Sequence, residues 1–138
     1  MSYKIIGKYI KDLNFNIPNP KTFFLLSKNI SNYKINIDIK STQVKQNIIE
    51  VLTSLTLSPT KDNFEKIDTR IVYSSIVELN NKEIEKEEME KIILCDVQIE
   101  IYPDLEKALL DLLHNSGYPN VKFEKKVDFE KLYNERFN

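Results

Sequence analysis

The residues most able to do chemistry in this 138-residue chain are its one histidine, His114, its one cysteine, Cys95, and the carboxylates Glu83, Glu85, Glu87, Glu88 and Glu90. A histidine working as a general base needs a nucleophile within hydrogen-bond reach and a further group to orient its ring. The residues around His114 signal neither; the position reads as the end of a helix, where a charged imidazole complements the dipole. Cys95 stands beside Asp96, which opposes the electropositive setting a reactive thiolate needs, so an inert thiol is expected. One histidine and one cysteine cannot supply the four N/S ligands of a zinc site. The glutamates are interleaved with Lys82, Lys86 and Lys91, the pattern of a solvated, salt-bridged helix start rather than of an acid/base pair or a calcium loop. With only Gly7 and Gly117 in the chain, glycine-rich phosphate loops are absent. No catalytic residue, metal or cofactor is expected, and the chain does not read as an enzyme.

These side chains must sit on something. A composition of 41% hydrophobic and 30% charged residues fits one globular domain over residues 1–138, large enough to bury a core. Twenty basic against 21 acidic side chains give a net charge of -1, which offers no electrostatic footprint for nucleic acid. The opening MSYKIIGKYIKD lacks the apolar core of a secretory signal, and no apolar run approaches the roughly 18 residues of a membrane span. A lone cysteine suits a reducing compartment. A cytoplasmic protein that does not insert into membranes is the expectation.

Four strands are expected. From Tyr3 the odd positions Tyr3, Ile5, Tyr9, Leu13, Phe15 and Ile17 are apolar, predicting one long strand with its odd face inward; Ile6 and Ile10 spoil the alternation. Pro18 and Pro20 end the ladder. KTFFLLSKNISN, with Phe23, Phe24, Leu25 and Leu26 in a row, reads either as a core-covering turn or as a partly exposed apolar loop that binds something. Ile35, Ile37 and Ile39 alternate with Asn36, Asp38 and Lys40. Ile49, Val51, Leu55 and Leu57 share one face of a third strand, with Pro59 and the charged segment after it making the turn. A fourth, Thr69 to Leu79, carries Ile71, Tyr73, Val77 and Leu79 on one face and the semi-apolar set Val72, Ser74, Ile76 and Glu78 on the other.

Asn80 or Asn81 is the expected cap of a helix running to Tyr102, with Met89, Ile92, Ile93, Val97 and Ile101 at helical spacing. Pro103 should kink or restart it. Leu105, Ala108, Leu109, Leu112 and Leu113 continue the apolar stripe until Asn115, Ser116 and Gly117 end it. After an extended piece from Tyr118 to Phe123, a last helix is capped by Asp128 and anchored by Phe129, Leu132 and Tyr133. Strands followed by helices, rather than alternating with them, predict an α+β fold: a four-stranded antiparallel sheet with a long proline-interrupted helix packed on one side. The apolar residues left on the other face, Val72 and Ile76 with Ser74 between them, are candidates for an oligomer interface.

Two parts of the chain resemble the SecB family of protein-export chaperones. The opening YIKDLNFNIPNP is similar to the family's strand-then-proline start, through Tyr9, Lys11, Asp12, Leu13, Phe15, Pro18 and Asn19. The ending is similar through Pro103, Gly117, Tyr118, Pro119, Val127, Phe129, Leu132 and Tyr133, in the family's order and on the same strand-then-helix layout.

The resemblance implies a SecB-like dimer of dimers that holds unfolded secretory preproteins without ATP, keeps them translocation-competent and passes them to the ATPase SecA. Phe23 and Phe24 look like the family's apolar crossover residues, and with Leu25 and Leu26 they are the candidate client-binding set. Asp12 matches one of the acidic residues by which the family docks SecA. The chain departs from the pattern at Asn16 and Ser74, where acidic residues are expected, and at Glu78 to Asn81, where the family has a glycine pair. Loss of charge partners weakens a charge-assisted interface, so two alternatives stay open: a SecB-like chaperone dedicated to one partner, as in a toxin–antitoxin system, and an interaction protein that keeps the fold without holding clients.

Overall fold

The computed structural model describes residues 2–60, 67–80, 83–123 and 127–137. Four strands, β1 (Tyr3–Asn16), β2 (Tyr33–Lys45), β3 (Ile48–Pro59) and β4 (Asp68–Leu79), form one antiparallel sheet in the order β1-β4-β3-β2. Helix α1 (Pro20–Asn29) and a 3₁₀ turn (Ile30–Asn32) lie between the two edge strands. After β4 come α2 (Lys86–Lys91), a π-helical turn (Ile92–Asp96), α3 (Val97–Asn115) and α4 (Phe129–Phe137).

The core lies between the sheet and α3. Val51, Leu55, Ile71 and Val77 from the central strands and Val97, Ile101, Leu105, Leu109 and Leu113 from the helix are all fully buried in one cluster. Alternation on β2, β3 and β4 follows the expected faces, because cross-strand partners such as Ile37 and Leu55, or Leu55 and Ile71, point the same way.

β1 differs from expectation. Its register against β4 slips between Ile5 and Gly7 and again between Ile10 and Asp12. Each bulge adds one residue and reverses the parity of the strand beyond it. Tyr9, expected to face the core, therefore pairs with Ser74 on the open face, and Ile10 pairs with Tyr73 on the helix side. The second bulge restores odd-inward parity for Leu13 and Phe15. Gly7 follows the first bulge and lies against Ile76, whose side chain a Cβ there would meet at an ordinary contact distance of 3.5 Å.

The stretch KTFFLLSKNISN is helical rather than a core-covering turn or an open loop. Up to Asn29 it belongs to α1, and Ile30–Asn32 form the 3₁₀ helix that follows; Asn19 is the N-cap, its Oδ1 accepting from the Thr22 amide at 2.9 Å, and Pro20 opens the helix. Asn80 does not cap α2; its amide donates to the Ser2 carbonyl at 3.0 Å and extends the β1–β4 edge, and the helix begins at Lys86. Asn81, and the charged turn after Thr60, lie outside the described residues.

Pro103 does not break its helix. α3 runs through it, because Pro103 and Ile99, whose carbonyl loses its donor, are both exposed. The irregularity comes earlier, at the π turn. There Gln98, wholly buried, donates from Nε2 to the Ile93 carbonyl at 3.1 Å and accepts from Thr53 Oγ1 at 3.0 Å. α4 forms as expected, its Asp128 side chain accepting from the Lys131 amide at 3.1 Å and Phe129 buried against Tyr102 and Cys95.

Candidate functional site

His114 and Cys95 lie apart, each held by its own local contacts. Among the described residues no three of His, Cys, Asp and Glu come together as metal ligands. His114 Nε2 lies 3.3 Å from the Val121 carbonyl and fastens the chain after α3 to the helix end. Cys95 is buried, and that burial, followed by the charge of Asp96, pushes its thiol up and away from thiolate character. Among the described residues no helix is long and apolar enough to cross a membrane.

Apolar surface is what the molecule presents instead. In α1 the four consecutive apolar residues divide by helical geometry. Leu26 is 1% exposed and joins Ile30 in the core, so it is a packing residue and not part of a free surface. Phe23 is half-buried, its ring stacked on Tyr118 with centroids 5.1 Å apart. Phe24, at 67% exposure, and Leu25, at 38%, face solvent, with Ser27 and Lys28 following them as exposed polar neighbours. The signal for this division was in the sequence: Asn19 followed by Pro20 is a helix-start pair, and a helix of period 3.6 cannot bury four residues in a row.

A second apolar surface runs along β1, the edge strand, where Ile6, Tyr9, Ile10 and Leu13 are each between 44% and 46% exposed. The alternation placed Tyr9 and Leu13 in the core; the first bulge turns Tyr9 to the open face, and Leu13, on the helix side opposite Ile71, stays 44% exposed on the edge strand.

The sheet face opposite the helices holds the remaining candidates. Val72 and Ser74, expected at an oligomer interface, are already covered within the protomer; they lie on a central strand flanked by β1 and β3 side chains. Ile76 is half-buried against Gly7. Asp12 is exposed opposite Val72, and Asn16 ends β1 opposite Asp68.

At the middle of this face Glu50 accepts from Ser74 Oγ at 2.7 Å and from the Tyr9 hydroxyl at 3.1 Å, with Lys11 Nζ 3.5 Å away. The Ser74 hydroxyl first, then Tyr9 and Lys11, hold the Glu50 carboxyl below its ordinary value, although burial pushes the other way. A carboxylate from the neighbouring strand thus occupies the space beside Ser74. Across the face Asp12, Asp38, Glu50, Asp68 and Glu78 are interspersed with Lys4, Lys11, Lys34, Lys40, Lys45 and Arg70, which leaves it near charge balance.

An antiparallel sheet backed on one side by a long helix, with apolar side chains exposed on a crossover helix and an edge strand, defines an α+β fold that displays apolar surface. The model of the preprotein translocase subunit SecB family matches residues 1–138. The chain belongs to the SecB family, which is a family of protein-export chaperones. It is 51% identical over 137 residues to the putative protein-export protein SecB of Pelagibacter ubique (strain HTCC1062), covering 99% of this chain and 98% of that one. To the protein-export protein SecB of Anaplasma phagocytophilum (strain HZ) it is 22% identical, over 94% of this chain and 89% of the other.

Among solved structures, a Mycobacterium tuberculosis SecB-like chaperone in complex with a ChAD peptide from an antitoxin superposes with a TM-score of 0.57 at 10% identity, covering 91% of each chain. A Streptococcus agalactiae protein of unknown function superposes at 0.56 with 8% identity, over 91% of this chain and 97% of that one. At these identities the two structures speak for the fold alone.

Proposed function

We propose that the protein is a cytoplasmic, ATP-independent holdase that binds non-native polypeptides, secretory preproteins foremost, and hands them to SecA. The observation that carries this reading is the pair Phe24 and Leu25, exposed on a helix whose other apolar residues are turned inward. Such side chains gain from burying a client's apolar surface, at about 25 cal/mol per Å², and the polar residues after them keep the patch small enough for solubility. Suppression of aggregation of a slow-folding client tests it: the unmodified protein is expected to protect, the variant carrying Phe24→Ser and Leu25→Ser to protect far less. Equal protection by both would remove the patch from the mechanism.

Self-association into a dimer of dimers is part of the proposal. It is supported by β1, a 14-residue edge strand with unpaired backbone groups and exposed Ile6, Ile10 and Leu13; Val72 and Ser74, covered within one protomer, add nothing to it. For SecA, the proposed contact is the open sheet face through Asp12, with Glu50 supplying negative charge beside Ser74.

The near-balance of charge on that face favours keeping a second reading, a chaperone dedicated to one partner. A native pull-down with mass measurement separates the two. Many secretory precursors together with SecA support general export; a single stoichiometric partner supports the dedicated role.

A further inference from the structure

Phe23 was expected to touch clients, yet its ring is held by two neighbours. It stacks on Tyr118, with 26° between the ring planes. Its tip meets Gly117, where a Cβ would stand 2.8 Å from Cζ and 3.0 Å from Cε2 of the ring. The Tyr118 hydroxyl also donates to the Phe23 carbonyl at 3.1 Å. Gly117 has φ +102°, a conformation that favours glycine for backbone reasons as well. The Gly117–Tyr118 step is itself fixed, since the amides of Ser116 and Tyr118 both donate to the Leu113 carbonyl, at 3.1 and 3.0 Å, and Leu113 is fully buried in the core.

A ten-residue helix is marginal alone and takes its orientation from what it packs against. Thr22, Leu26 and Ile30, at successive steps of four residues, are the buried positions of α1 and its C-cap, and contacts along one line do not by themselves fix rotation about it. Phe23 lies about 60° around the axis from Leu26, so its contacts with Gly117 and Tyr118 hold the helix against such rotation. What that fixes is the direction of Phe24 and Leu25. Phe24 also meets the held ring directly, edge-on at 5.4 Å between centroids.

Resting on the reading that Phe24 and Leu25 contact clients, we infer that Gly117 and Tyr118 clasp Phe23 and are positioning residues for client binding. They hold α1 so that Phe24, backed by the Phe23 ring, offers an aromatic edge to apolar and aromatic side chains of an extended polypeptide. The clasp joins the crossover helix to the far end of α3, so the client surface is set by a residue pair 95 positions away in the chain.

The test is the affinity of the full-length protein for a fluorescently labelled, reduced and alkylated α-lactalbumin, read by anisotropy for Phe24→Ala, Tyr118→Phe and the double variant. Phe24→Ala is expected to weaken binding about ten-fold, and Tyr118→Phe, which removes one hydrogen bond and keeps the ring, about three-fold. The double variant is expected to bind no more weakly than Phe24→Ala alone, because the clasp acts through Phe24. Phe23→Leu, which preserves burial and removes the stacked ring, is expected to match Tyr118→Phe. If Phe24→Ala weakens binding but Tyr118→Phe and Phe23→Leu do not, or if the losses add in full, the clasp has no positioning role and the client reading stands. If Phe24→Ala leaves affinity unchanged, the client reading fails and the inference goes with it.

Discussion

Thr53 and Gln98 are joined by a hydrogen bond of 3.0 Å from Oγ1 to Oε1, and both residues are wholly buried. Thr53 is on the inner face of β3 and Gln98 is in the first turn of α3, so the bond is a polar rivet between sheet and helix in an otherwise apolar core. Its other end reaches the Ile93 carbonyl, inside the π turn. A π turn widens the backbone and leaves a carbonyl in need of a donor; the Gln98 amide supplies it, and Thr53 holds the amide in that orientation.

Thr53→Val keeps the shape and removes the donor, leaving Gln98 Oε1 buried and unpaired. The expected cost is about 1–3 kcal/mol, read as a lower denaturant midpoint at unchanged slope and fixed protein concentration. In the same background Gln98→Met is expected to cost less than it does alone, because each substitution removes the other's stranded partner. Full additivity would mean that the two residues are not coupled.

The parts of the fold legible in the sequence are those governed by the physics of single elements. Ile35, Ile37 and Ile39 declared β2 and its inward face because nothing interrupts the period there. β1 obeys the same rule, but its bulges at Ile6 and Lys11 each reverse the parity, and one strand read alone cannot reveal a register that its partner sets. The α1 helix was hidden by four consecutive apolar residues, although Asn19 and Pro20 marked its start. The rivet at Gln98 and the clasp on Phe23 join residues distant in sequence, and no local pattern announces either.

Tyr102 and Tyr3 make the protein sensitive to alkali. Burial first, then the Glu106 charge, pushes Tyr102 up to about 12; burial first, then the hydrogen bond to Glu100, does the same for Tyr3. Both folded values exceed the ordinary 10.0, so the folded state holds protons that the unfolded chain has released. Stability is full below pH 10 and falls as pH rises from there toward 12, at up to about 1.4 kcal/mol per pH unit for each tyrosine. The Tyr102 hydroxyl is buried and faces the Glu106 carboxylate, so Tyr102→Phe, which removes the group that would have to ionise there, is expected to flatten the alkaline loss. Unfolding midpoints across that range, with tyrosinate absorbance followed in parallel, check both parts.

Glu50 gives the opposite dependence. Its folded value lies below the ordinary 4.5, so its contribution is present above pH 4.5 and is lost as pH falls through the folded value. Ser74→Ala removes the largest cause of the depression and leaves Tyr9 and Lys11 in place. The expected result is a lower stability near neutrality and, in consequence, a shallower fall below pH 4.5, with variant and unmodified protein converging in acid. An unaltered acid limb in thermal melts would mean that the serine does not hold the carboxylate.

Leu26 and Phe24 separate packing from binding within one helix. Leu26 is 1% exposed and belongs to the central cluster, so Leu26→Ala removes buried methyl groups and opens a cavity, at an expected cost of about 2–5 kcal/mol. Phe24 is 67% exposed, and Phe24→Ala should move stability by no more than about 0.5 kcal/mol. Client protection is expected to reverse the order. Phe24→Ala should lose it while fully folded, whereas Leu26→Ala should retain it at temperatures well below its melting transition. Melting curves and aggregation-suppression assays on the same preparations make the comparison. If protection is lost only where folding is lost, exposed apolar side chains on α1 are not what clients meet, and the edge of β1 becomes the surface to substitute next.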